Sequence, residues 1–86
     1  MYSYMTLADD TEIVHSHLKH ENGVKTISVN FERPKLNGFD SARISLPTYK
    51  WLTRDGFTDD EIKSFEQFAE RHAHHLYYYA ETRRPQ

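Results

Sequence analysis

The stretch FTDDEIKSFEQFAERHAHHLYYY, Phe57 to Tyr79, constrains this chain more than any other, because it runs without Gly or Pro and marks its own start. Thr58 stands where a helix N-cap is needed, with Glu61 three residues on, so side chain and backbone can satisfy two orphan donors reciprocally. Phe57 and Ile62 fit the hydrophobic staple around that cap. Asp59, Asp60 and Glu61 put negative charge at the positive end of the helix dipole, an effect of a few tenths of a kcal/mol per exposed group. On a 100° wheel Ile62, Phe65, Phe68, Ala69, His72, Ala73, Leu76, Tyr79 and Ala80 share one side, while Lys63, Gln67, Glu70 and His74 fall away from it. His72 lies near the middle of that stripe. It is expected to be a largely buried imidazole in need of a hydrogen-bond partner.

An apolar helix face needs something to cover, and the preceding residues read as strands. Tyr2 to Leu7 and Thr11 to Lys19 are rich in strand formers, with Ala8, Asp9 and Asp10 as the turn between them. Asn22-Gly23 tolerates the positive φ angles of a type I′ hairpin turn. Lys25 to Arg33 alternates, with Ile27, Val29 and Phe31 on one face and Thr26, Ser28, Asn30 and Glu32 on the other. Pro34 is expected to end that strand. A second Asn-Gly, Asn37-Gly38, leads into Phe39 to Leu46, where Ala42, Ile44 and Leu46 share a face.

Counting outward from Asn22-Gly23 pairs Lys19 with Thr26, Leu18 with Ile27, Ser16 with Val29 and Val14 with Phe31. Val14 and Leu18 then turn inward, and His15 and His17 outward beside Asn30 and Ser28. A tight Asp9-Asp10 turn adds Tyr4 and Tyr2 to that outer face. Counting across Asn37-Gly38 opposes Arg43 to Glu32. Pro47 to Arg54 suits a short helix, with Pro in the first turn and Gly56 as its stop. The expected fold is α+β: a four-stranded antiparallel meander followed by a short helix and a long C-terminal helix packed on one face. Residues 1–86 make a single domain, with 81–86 as a frayed tail.

Composition narrows the functional classes. Eighty-six residues support one modest core, and the absence of cysteine excludes thiolate metal sites, disulfides and cysteine nucleophiles. A formal charge of -2 lacks the basic excess that phosphate binding demands, and three carboxylates in the first turn of the long helix argue against its being a recognition helix. No run approaches the ~20 apolar residues of a membrane span, and no secretory signal is visible at the start. The expectation is a cytoplasmic protein with no cofactor, contacting neither nucleic acid nor membrane.

Phe31-Glu32-Arg33-Pro34, Gly38-Phe39-Asp40-Ser41-Ala42-Arg43, Leu46-Pro47, Trp51, Gly56-Phe57 and Ala73-His74 together resemble a small family of bacterial proteins of Gram-positive type. The resemblance covers most of the chain and implies no activity, since none is assigned to that family.

Six histidines invite a metal reading. His15 and His17, two apart on one strand, point the same way and could reach one ion, but a zinc or iron site needs a further ligand. His72, His74 and His75 scatter around the helix instead of forming an i, i+4 pair. The serines lack a Gly-flanked elbow or an adjacent acid–base pair. Asp40 and Arg43 read as a salt link. What stands out is an outer sheet face carrying Tyr2, Tyr4, Ile13, His15, His17 and Asn30, richer in aromatic and imidazole groups than solvation alone requires. The leading expectation is therefore a non-enzymatic module that binds another protein, or a second copy of itself, through that face. The alternative is a small metal-dependent enzyme or hydrolase using His15 and His17.

Overall fold

A computed structural model describes residues 1–82. Six strands, β1 (Tyr2–Thr6), β2 (Glu12–His15), β3 (Lys19–Glu21), β4 (Val24–Lys35), β5 (Gly38–Leu46) and β6 (Lys50–Asp55), precede one helix, α1 (Asp59–Thr82). The sheet is antiparallel throughout, in the order β1-β2-β4-β5-β6, with β3 extending the β2 side along β4. The fold is thus α+β, a six-stranded sheet with one long helix laid on one face. Ile13, Ile27, Val29, Phe31, Ala42, Ile44 and Leu46 from the sheet meet Ile62, Phe65, Ala69, Leu76 and Ala80 from α1. Phe31 stacks on Phe65 with ring centroids 4.4 Å apart, so the longest strand and the helix share one aromatic contact at the centre of the core.

The helix start follows its sequence. The Glu61 amide donates to Thr58 Oγ1 at 3.1 Å and the Thr58 amide to Glu61 Oε1 at 3.0 Å, a complete capping box. Phe57 packs edge-on against Phe65, at 4.9 Å. The C-terminal end runs further than expected, through Thr82, so Glu81 and Thr82 are helical rather than frayed. The rest of the expected tail, residues 83–86, lies outside the described residues.

Four local readings need correction. Pro47 to Arg54 is not a short helix: the chain reverses at Pro47–Tyr49, with Tyr49 at φ 58°, and returns as β6. β5 offered an unpaired edge, and the Thr, Trp and Leu of this segment suit a strand, with Trp51 opposite Ile44 and against Phe31. The β4–β5 turn is centred on Leu36-Asn37, because Lys35 pairs with Gly38; Arg43 therefore opposes Asn30 rather than Glu32 and donates to its Oδ1 at 2.7 Å. Pro34 does not end β4 either. It sits beyond Glu32, the last β4 residue to pair with β2, where a missing N–H has no ladder to break.

The fourth correction bears on function. Lys19 does oppose Thr26 across an Asn22-Gly23 turn with φ 52° and 80°, but His15 opposes Val29, so one extra residue has entered between the two pairs. Ser16 holds the break: its amide donates to the Ser28 carbonyl, its Oγ accepts from the Ser28 amide, and its hydroxyl donates to the His17 carbonyl, each at 2.9 Å. A one-residue slip exchanges the faces of everything upstream. Ile13 and His15 face the helix and are fully buried, while Val14 joins Asn30 and Arg43 on the other side.

Candidate functional site

The surface expected from the sequence is not assembled. Ile13 is core, and His15 is inside, its Nδ1–H donating to the Ser16 carbonyl at 2.8 Å and its ring 5.7 Å from that of Tyr2. Tyr2 and Tyr4 lie toward the helix: Tyr2 pairs with His15, and Tyr4 packs against Phe68, His72 and Tyr79. His17 is half-buried in the break between β2 and β3. Only Asn30 keeps its expected side. The outer face is instead a row of Asn30, Arg43 and Thr53 next to the apolar Val14, beside Ser28 and Ser45, without the aromatic and imidazole groups that had singled it out.

Those groups gather along the seam between β1 and α1. β1 carries an irregularity between Ser3 and Met5, which leaves Tyr4 without an opposite residue on β2. Its phenol reaches His72 Nδ1 at 2.7 Å, and the His72 ring stacks on Phe68 at 4.1 Å. Burial foremost, then the neighbouring His75, Arg71 and His74, holds the His72 imidazole below its ordinary value, so it is neutral at pH 7. Burial and the nearby Tyr79 raise the Tyr4 phenol. When the Tyr4 hydroxyl donates to Nδ1, the ring proton sits on Nε2, which is then a hydrogen-bond donor; in the other tautomer Nδ1–H donates to the phenol oxygen. Ser3, Tyr4, Met5, His72, His75 and Tyr79 line an open pocket of about 510 Å³.

At the other end of the same seam, Leu7, Ala8 and Asp9 face Asp60, Glu61, Ser64 and Phe65 across a second pocket of about 440 Å³. Its base is ionic. Arg33 Nε and Nη2 donate to Asp40 Oδ2 at 2.9 and 2.7 Å, Nη1 pairs with Glu61 and lies 3.6 Å from Asp9, and the guanidinium rests 4.7 Å over the Phe57 ring. Lys35 Nζ meets Asp40 Oδ1 at 2.6 Å. Lys35 first and Arg33 second hold the buried Asp40 carboxyl below the usual carboxylate range, Arg33 and the Thr58 amide do the same for Glu61, and hydrogen bonds from Thr11 depress Asp9. Four carboxylates (Asp9, Asp40, Asp60, Glu61) stand against two cations (Arg33, Lys35), so this end keeps a negative excess.

Sequence reasoning missed this seam because it put Tyr4 on the wrong face and treated Asp40 as a partner of Arg43. Among the described residues no three His, Asp or Glu side chains converge as metal ligands, and with His15 turned inward, a metal centre on His15 and His17 loses its shared geometry. No helix of the described residues is long and apolar enough to cross a membrane. No family model, curated protein or solved structure matches the chain.

Proposed function

We propose that this protein is a binding module that takes an extended segment of a partner protein along β1, as an added strand lying over the β1–α1 seam. The contrast between the two edges of the sheet carries this reading. β6 is a guarded edge, with the charged Lys50, Arg54 and Asp55 along it. β1 reads Tyr-Ser-Tyr-Met-Thr, has no charged residue and no Pro, and among the described residues its one strand partner is β2. An uncharged edge strand invites backbone pairing from another chain, and the pockets beside it give alternate side chains of that chain somewhere to go. Met5 and Tyr79 stay exposed at the mouth, apolar surface that an incoming strand would cover.

Adding a capped Thr/Val-rich heptapeptide to isotopically labelled protein should shift the amide signals of Tyr2–Thr6 together with those of His72 and His75. Shifts confined to β6 or to Asn30 and Arg43 would move the binding surface elsewhere. Light scattering on the free protein identifies the case in which the segment comes from a second copy, because mass would then rise with concentration and fall as the peptide is added.

A further inference from the structure

We infer that the β1–α1 groove is charge-polarised and selects a strand bearing one acidic and one basic side chain, the acidic one over His72 and His75 and the basic one over Asp9 and Asp60. This deepens the reading above and rests on it. The two flanks of α1 are electrically different. On the β6 side Glu66 accepts from Trp51 Nε1 at 3.3 Å, and Glu70 acts on Tyr49. On the β1 side, the stretch from residue 71 onward carries Arg71, His72 and His75, and among the described residues the pocket there has no carboxylate in its wall. Arg71 has no ion pair among the described residues, and its charge is felt at His72. The polar groups at this end are the Ser3 and Tyr79 hydroxyls and the His75 and His72 imidazoles, groups able to donate to a carboxylate.

The opposite pocket has the reverse balance. Asp9 and Glu61 share Arg33 with Asp40, and Asp60 has no ion pair among the described residues. Apolar Leu7, Ala8 and Phe65 line the same hollow, enough to hold the methylene stem of a lysine while its ammonium reaches the carboxylates. From Glu61 to His72 the helix advances about 16 Å at roughly 1.5 Å per residue. An extended strand covers about 13 Å between residues i and i+4, whose side chains point the same way, and the lysine stem spans the remainder. The preferred occupant is thus a strand with Asp or Glu and Lys or Arg four residues apart.

Four capped heptapeptides of Thr and Val test this by fluorescence anisotropy of a terminal dye: Asp at the second and Lys at the sixth position, Asp at both, Lys at both, and Asn with Gln. The mixed-charge peptide should bind best at low salt, by roughly two- to fivefold per matched charge over the neutral one, with the advantage fading above about 0.5 M salt. Asp60→Lys should shift preference to the doubly acidic peptide, and Arg71→Glu to the doubly basic one. Both residues are exposed, so circular dichroism should show an unchanged fold. Equal binding of all four peptides at β1 would overturn the polarity and leave strand addition standing. Absence of binding by all four at millimolar concentration would overturn both.

Discussion

The two ends of the β1–α1 seam are built from the same kinds of element, yet their polar groups are used differently. At the N-terminal end of α1, Arg33 makes contacts to Asp9, Asp40 and Glu61, and Lys35 completes Asp40, so the side chains are bound to one another and fix the hairpin to the helix start. At the other end Tyr4 links to His72, and further donors face an open pocket. The first arrangement is a latch in which nearly every group is committed to structure. The second leaves hydrogen-bonding capacity for a partner, which is why a polar cluster of fewer charges is the better candidate for binding.

If that distinction is right, disturbing the latch should cost much more stability than disturbing the pocket. The largest effect is expected at Gly56. A Cβ there would stand 2.0 Å from Asp40 Oδ1, at φ +94°, and Asp40 has no freedom to retreat because Arg33 and Lys35 grip it. Gly56→Ala should lose about 2 to 4 kcal/mol in urea unfolding, from overpacking added to backbone strain. Gly23→Ala, with φ +80° but open space around it, should lose about 1 kcal/mol, from the strain alone. Equal losses at the two glycines would show that Asp40 gives way and that the latch is loose.

Next in size is Arg33→Gln. It leaves Asp40 buried with only Lys35 opposite, and a loss of about 2 to 3 kcal/mol is expected, less than for a fully orphaned buried charge. Tyr4→Phe at the other end removes one hydrogen bond and should cost about 1 kcal/mol by the same measurement. A Tyr4→Phe loss exceeding that of Arg33→Gln would reverse the comparison.

The smallest effect separates the ends by pH. His72 has a folded-state pKa below its unfolded value of about 6.5, so the unfolded chain binds more protons and stability falls as pH drops below that point. Asp9, Asp40 and Glu61 are also depressed; their stabilisation is present above about pH 4 and is lost as pH falls further. Unfolding curves from pH 7 to 3 should therefore show a shallow decline that His72→Gln removes, then a steeper one that Arg33→Gln blunts. A single decline unaffected by His72→Gln would remove the imidazole from the account.

The helix and its capping box were legible because every signal lay within a few residues: Thr58, Glu61, and a continuous apolar stripe. The Asn22-Gly23 hairpin was legible for the same reason. Register was lost where a non-local choice intervened. Nothing in IVHSHLK marks Ser16 as the residue whose hydroxyl stands in for ladder bonds, although serine is a residue type able to do so. That one slip reversed Ile13 and His15 and displaced the expected surface. β6 was misread because Pro47 and Gly56 also bracket a plausible helix, and only the free edge of β5 decides for a strand. Arg33 and Asp40, seven apart in sequence, became partners once the turn centred on Leu36-Asn37.

Hydrogen exchange of the β1 amides, with and without the mixed-charge heptapeptide, tests strand addition most directly. Backbone pairing must protect those β1 N–H groups that do not bond to β2, whatever the side chains do. The account predicts new protection within Tyr2–Thr6 and none within Lys50–Asp55. Protection appearing at Lys50–Asp55, or peptide binding that leaves every β1 amide exchanging at its free rate, would contradict it.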